Sequence, residues 1–158
     1  MIKPDLEIPV FSVSLQKSSI LIPNASVAEI IPYEPLQRVP DTPDWFLGFL
    51  GWRGVQVAVV SLEMLTQKRA SFSLVSVSSA SIVILRAISG EDDFKYLAIV
   101  AQSLPRLIRV TPDELFETGD SVERTELIKA RYGDEVFAIP DIDFVESEIR
   151  RVAYISPQ

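Results

Sequence analysis

The chain has 158 residues, of which 47% are hydrophobic, 9% aromatic and 23% charged, with a formal net charge of −7; this is the balance of one globular folding unit and excludes a disordered or fibrous chain. It contains no cysteine and no histidine, which excludes disulfides, thiolate metal sites and any mechanism that needs an imidazole as base or ligand. The N-terminal MIKPDLEIPVF lacks a basic n-region and an apolar h-region, and no segment approaches ~18 uncharged apolar residues, so a cytoplasmic protein without membrane insertion is expected.

The first pattern is PVFSVSLQKSSILIPNASVAEIIPY, where Phe11, Val13 and Leu15 alternate with polar residues at the strand period of two. Lys17-Ser18-Ser19 supplies a turn, residues 20–22 a short return strand, and Pro23-Asn24 a second turn before a strand over 27–31. The stretch IPYEPLQRVPDTPDWF carries prolines at 32, 35, 40 and 43 and reads as an ordered extended loop, with one helical turn at Asp44-Trp45-Phe46. Trp45 reads as a staple of this loop.

Glycines 48, 51 and 54 punctuate two strands, over 49–53 and 55–61, and the run Val57–Val60 predicts burial on both faces. Residues 71–81, SFSLVSVSSAS, hold six serines and read as a connector dividing the chain nearly in half. After it SIVILRAIS, FKYLAIVAQ and PRLIRVT read as three strands, residues 111–120 as a loop, and VERTELIKARYGDEVFAIP as a hairpin turning at Tyr-Gly-Asp. DIDFVESEIRR closes the series as a short helix, with Asp141 at its N-cap, arginines in its last turn, and Ile142, Val145 and Ile149 at helical spacing. About ten short strands in two halves predict a mainly β architecture of small barrels or a sandwich.

Acidity is concentrated at the C-terminal end: residues 111–150 carry 12 acidic against 4 basic side chains, whereas residues 1–110 carry 10 of each sign. Such a surface repels phosphate backbones, so nucleic acid is not an expected partner, and its plain reading is a solvated face. There is no P-loop, no GxGxxG and no nucleophile elbow, and no carboxylate pair stands out among the 22 acids. The sequence predicts no enzyme and no cofactor.

One charge stands out. Arg53 lies in GFLGWRGVQVAVVSLEML, an otherwise almost wholly apolar segment, and a charge there calls for a carboxylate partner, a ligand or a place at a rim. The series ILIPNASVAEIIPYEPLQRVPDTPDWFLGFLGWRGVQVAVVSLEML resembles the first half of the CheW family of chemotaxis coupling proteins. It has the apolar IP strand, the V-x-E-I segment, the proline-punctuated loop and the G-x-x-x-R-G stretch in that order. The resemblance covers about residues 10–150, is less specific in the second half, and is closest to the divergent members of chemosensory-pili (twitching-motility) systems.

The resemblance implies one domain over about residues 8–150, built of two adjoining five-stranded SH3/OB-like barrels over about 8–70 and 81–150, with exchanged strands. It implies a non-enzymatic adaptor that docks chemoreceptor tips and a CheA-type histidine kinase. It also implies receptor-facing roles for Arg53 and Glu29, and the receptor-facing set expected here is Val27, Glu29, Gly51, Trp52, Arg53 and Gly54. The chain departs from the family pattern at Gly51-Trp52, where Asn-Leu is usual, at Ala58 and Ser61, where proline and aspartate are usual, and over 100–104, where an aspartate is missing.

Plainer readings stand beside these. Arg53 can serve packing alone by bridging a carboxylate and backbone carbonyls, and Trp52 reads equally as a core residue or as an exposed anchor. An OB-like module for another ligand, such as single-stranded nucleic acid, or a purely structural scaffold module are the alternative functions. If Arg53 pairs with Glu29, the pair is expected to be partly exposed.

Overall fold

The computed structural model describes residues 6–67, 74, 76–91 and 94–153. Among the described residues eleven strands form two sheets: β1 (Ile8–Ser14), β2 (Ser19–Pro23), β3 (Val27–Pro32), β4 (Phe46–Trp52), β5 (Val55–Val60), β6 (Ser81–Glu91), β7 (Phe94–Ala101), β8 (Arg106–Val110), β9 (Leu115–Glu117), β10 (Glu126–Tyr132) and β11 (Glu135–Pro140). Two helices, α1 (Leu62–Thr66) and α2 (Ile142–Ala153), follow β5 and β11. The mainly β fold with a short C-terminal helix is as expected.

One sheet runs β8-β1-β2-β11-β10-β9 and the other β3-β6-β7-β5-β4. The halves 8–70 and 81–150 are therefore not the two sheets. The hairpin β1-β2 joins the sheet built from the end of the chain, and β6-β7 joins the sheet built from its first half. Each exchange is sealed by a parallel pairing, Ala138 beside Ile20 and Ala58 beside Leu97. The order hairpin, edge strand, hairpin, helix thus occurs twice, as β1-β2, β3, β4-β5, α1 and as β6-β7, β8, β10-β11, α2. The second sheet carries the expected five strands. The first has six, because β9 pairs with β10 inside the stretch that reads as a loop in the sequence.

The core follows from this exchange. Its largest cluster takes Val13, Ile20 and Ile22 from the first sheet and Phe46, Val60, Leu85 and Leu97 from the second, with Val145 and Ile149 of α2 closing over it. Each sheet has a smaller cluster on its other face, around Val57, Val59, Ile82 and Ile84 in the five-stranded sheet and around Val10, Leu21 and Phe137 in the six-stranded one. Residues 57–60 are buried on both faces, as their unbroken apolar run predicts. Trp45 also enters the shared core instead of only stapling the loop. The expected helical turn beside it is a single turn closed by the Phe46 N–H on the Pro43 carbonyl at 3.0 Å, after which β4 begins.

Local chemistry fixes the ends of these elements. Ser61 caps α1 by accepting from the Met64 N–H at 3.2 Å. Asp141 caps α2 in the same way through the Phe144 N–H at 3.1 Å. The proline-rich loop reaches the free edge of β4 at one point, where Gln37 and Phe49 exchange hydrogen bonds of 2.9 and 2.8 Å. Gly48 permits that approach: its φ is +139°, and a Cβ there would lie 2.5 Å from the Gln37 carbonyl oxygen. Of the serine-rich connector, residues 71–73 and 75 lie outside the described residues; Leu74 packs against the five-stranded sheet and Ser76–Ser79 form a turn before β6.

The terminal helix is locked by a buried carboxylate. Glu146, 2% exposed, accepts from the N–H groups of Ile88 and Ser89, where β6 loses register with β7. Glu146→Ala leaves those two donors without their acceptor and is expected to cost about 2 kcal/mol, a melting point lower by about 4–8 °C; thermal denaturation showing no change would mean the carboxylate is idle. Because each sheet draws strands from both sides of the connector, cutting the chain at residue 76 is expected to give two insoluble fragments. Two soluble, cooperatively melting halves would contradict the shared core.

Candidate protein-docking site at the mouth of the five-stranded barrel

Arg53 and Gly54 are the two central residues of the β4-β5 hairpin, between the paired residues Trp52 and Val55. Their φ angles are 49° and 80°, the double left-handed geometry of a type I′ turn, which suits the right-handed twist of the flanking strands. Gly54 adopts it at no steric cost. Arg53 does not: a side-chain-bearing residue in this region costs about 1–2 kcal/mol. Asn-Gly would relax the turn, so the arginine is kept against local preference.

What the arginine reaches is Glu29, its Nη2 lying 3.0 Å from Oε1. The same carboxylate oxygen accepts from the Trp52 indole Nε1–H at 2.9 Å. Glu29 belongs to β3 and Trp52 to β4, the two outermost strands of their sheet. The sheet therefore curls until its edges meet, and this carboxylate bridges them through side chains. Trp52 packs edge-on against Tyr96 of β7 at 4.9 Å, and the Arg53 guanidinium lies over the Trp52 ring at 5.0 Å.

The expected set is thus divided. Glu29, Trp52, Arg53 and Gly54 come together at one rim. Gly51 precedes Trp52 in β4 and is exposed, opposite Gln56 of β5. Val27 turns toward the shared core, and its carbonyl, with that of Ala25, accepts from Arg86 Nη1 at 2.7 and 2.9 Å. Trp52 is half-buried, both a packing residue and part of the rim. The ion pair is partly exposed as expected, the side chains of Arg53 and Glu29 being 70% and 37% accessible.

Two exposed leucines escaped the sequence reading. Leu104 is 70% and Leu107 48% exposed beside and within β8; their apolar character reads as core in a strand pattern, and only the sheet order shows that β8 is an edge. A cleft of about 490 Å³ opens between α1, the β1-β2 turn and β10. Several of its polar groups are engaged within the protein: Glu63 accepts from the Gln16 N–H at 2.7 Å, Thr66 bonds Thr125, and Glu126 accepts from the Glu123 N–H at 2.9 Å. Among the described residues no group of three or more acidic side chains could hold a metal ion, and no helix is long and apolar enough to cross a membrane.

An ion pair this exposed contributes at most about 1 kcal/mol. Arg53→Ala should therefore shift the urea midpoint little, whereas Arg53→Asn, which suits the left-handed turn, should be more stable than Arg53→Ala by about 1 kcal/mol. The reverse order would mean that the turn is not strained.

No curated protein sequence matches the chain. Among solved structures, the scaffolding protein TtCheW from Thermoanaerobacter tengcongensis superposes with a TM-score of 0.74 at 13% identity, covering 92% of this chain and 91% of that one; it shares the fold. The model of the CheW-like domain matches residues 9–148. With nearly the whole of both sheets inside that match, the chain belongs to the CheW-like domain family.

Proposed function

We propose that the protein is a non-enzymatic cytoplasmic adaptor that couples chemoreceptor tips to a CheA-type histidine kinase, working in a chemosensory system of the pili (twitching-motility) type. Family membership over residues 9–148 supports the adaptor class, and the scaffolding role of TtCheW, which shares the fold, agrees with it. The observation that carries the docking surface is the strained, exposed turn at Arg53, held by Glu29 and Trp52 at the barrel rim. Residues kept in costly backbone conformations cluster at functional sites, and an exposed pair worth little to stability does not account for the strain. The acidic surface over residues 111–150 disfavours nucleic acid as partner. The pili-type assignment rests on the sequence resemblance alone.

In a pull-down from native cytosol, the protein is expected to recover a receptor cytoplasmic fragment and a CheA-like kinase. Arg53→Ala should lose the receptor while keeping its melting temperature, and Arg53→Lys should restore it poorly, because lysine lacks the planar fork of donors. Recovery of neither partner by the unmodified protein would overturn the adaptor reading.

A further inference from the structure

Resting on the reading of this turn as a docking element, we propose that Trp52 determines what the element recognises: it holds Glu29 against the rim, so that a partner meets Arg53 as the more exposed group and must bring a carboxylate of its own.

The Trp52 indole N–H, donating at 2.9 Å, and the Arg53 guanidinium, paired by charge with Nη2 at 3.0 Å, converge on one oxygen of Glu29. A partly exposed glutamate held by an arginine alone would exchange that partner with solvent readily, since such pairs are weak and their side chains long. The indole removes that freedom. Its ring is fixed by edge-on packing against Tyr96 at 4.9 Å and by the core cluster beneath it, so its N–H has one direction. The carboxylate that accepts from it is drawn back to the barrel rim and is a poor target for a partner's lysine or arginine.

Arg53 is left in the opposite condition. Its backbone is fixed by the two-residue turn, one face of the guanidinium is covered by the Trp52 ring at 5.0 Å, and one nitrogen is engaged by Glu29. The remaining N–H donors have no partner among the described residues, and the side chain is 70% exposed. A guanidinium has five donors in a planar fork that matches a carboxylate bidentately. Val55, 45% exposed and paired with Trp52 across the hairpin, sets apolar surface beside that fork. The matching chemistry is an aspartate or glutamate on an otherwise apolar protein surface, with Trp52 as positioning residue and Arg53 as the contact.

The test is a double-mutant cycle on the full chain, using calorimetric titration with a chemoreceptor cytoplasmic-tip fragment. Trp52→Phe keeps the ring and deletes the N–H; it is expected to weaken binding about five- to tenfold. Combined with Arg53→Ala it should bind no more weakly than Arg53→Ala alone, because Trp52 acts through Arg53. Losses that multiply, or wild-type affinity in Trp52→Phe, would each overturn the proposal. If the unmodified protein does not bind the fragment, the docking reading fails by itself, and the positioning role is decided on the free protein. Side-chain ¹⁵N resonances of Arg53 should then show slow guanidinium rotation and move on titration with acetate, both effects weakening in Trp52→Phe; resonances unaffected by the substitution would overturn the role of Trp52.

Discussion

The reciprocal exchange of hairpins is the constraint on which the rest of the molecule depends. Through it the two sheets share their largest apolar cluster, with Ile20 and Ile22 of one packed against Val60 and Leu97 of the other and α2 closing over both. Neither sheet can bury its inner face alone. The parallel pairings of β2 with β11 and of β5 with β7 make the exchange a matter of backbone hydrogen bonding as well as packing. The rim that carries Glu29 and Arg53 is stiff because the sheet beneath it is buried on both faces, one against the other sheet and one around Ile82 and Ile84.

Most elements could be read from the sequence because they are governed by local rules. Alternation gave β1, the doubly apolar run gave the buried β5, and Asp141 with the spacing of Ile142, Val145 and Ile149 gave α2. What escaped is non-local. β9 is three residues long and is a strand only because β10 lies beside it. α1 is a single capped turn and more, too short for a periodic signal. The twofold order of elements leaves no echo in the sequence, since the second hairpin of each half turns at Arg53-Gly54 in one and at Gly133-Asp134 in the other, and the helices that follow differ in length from five to twelve residues.

The candidate site was legible in part. A lone arginine between glycines in an apolar segment demands a partner, and family resemblance pointed to Glu29. The positive φ of Arg53 and the indole hydrogen bond that fixes the pair have no sequence signature, because both arise where the outermost strands of a curled sheet meet. Val27 shows the opposite limit: it belongs to the same strand as Glu29, yet a break in register between them turns its side chain to the core.

The exchange also governs how the chain can be made. Hairpin β1-β2 leaves the ribosome before the other strands of this fold, but its neighbours in the sheet, β8 and β11, begin at Arg106 and Glu135. Its apolar face must wait, unpaired, for most of translation. Contacts spanning so much of the sequence slow folding and expose strand edges while they form. β11, which eventually pairs with β2, comes from the acid-rich stretch 111–150, so charge arrives together with the strand that completes the sheet.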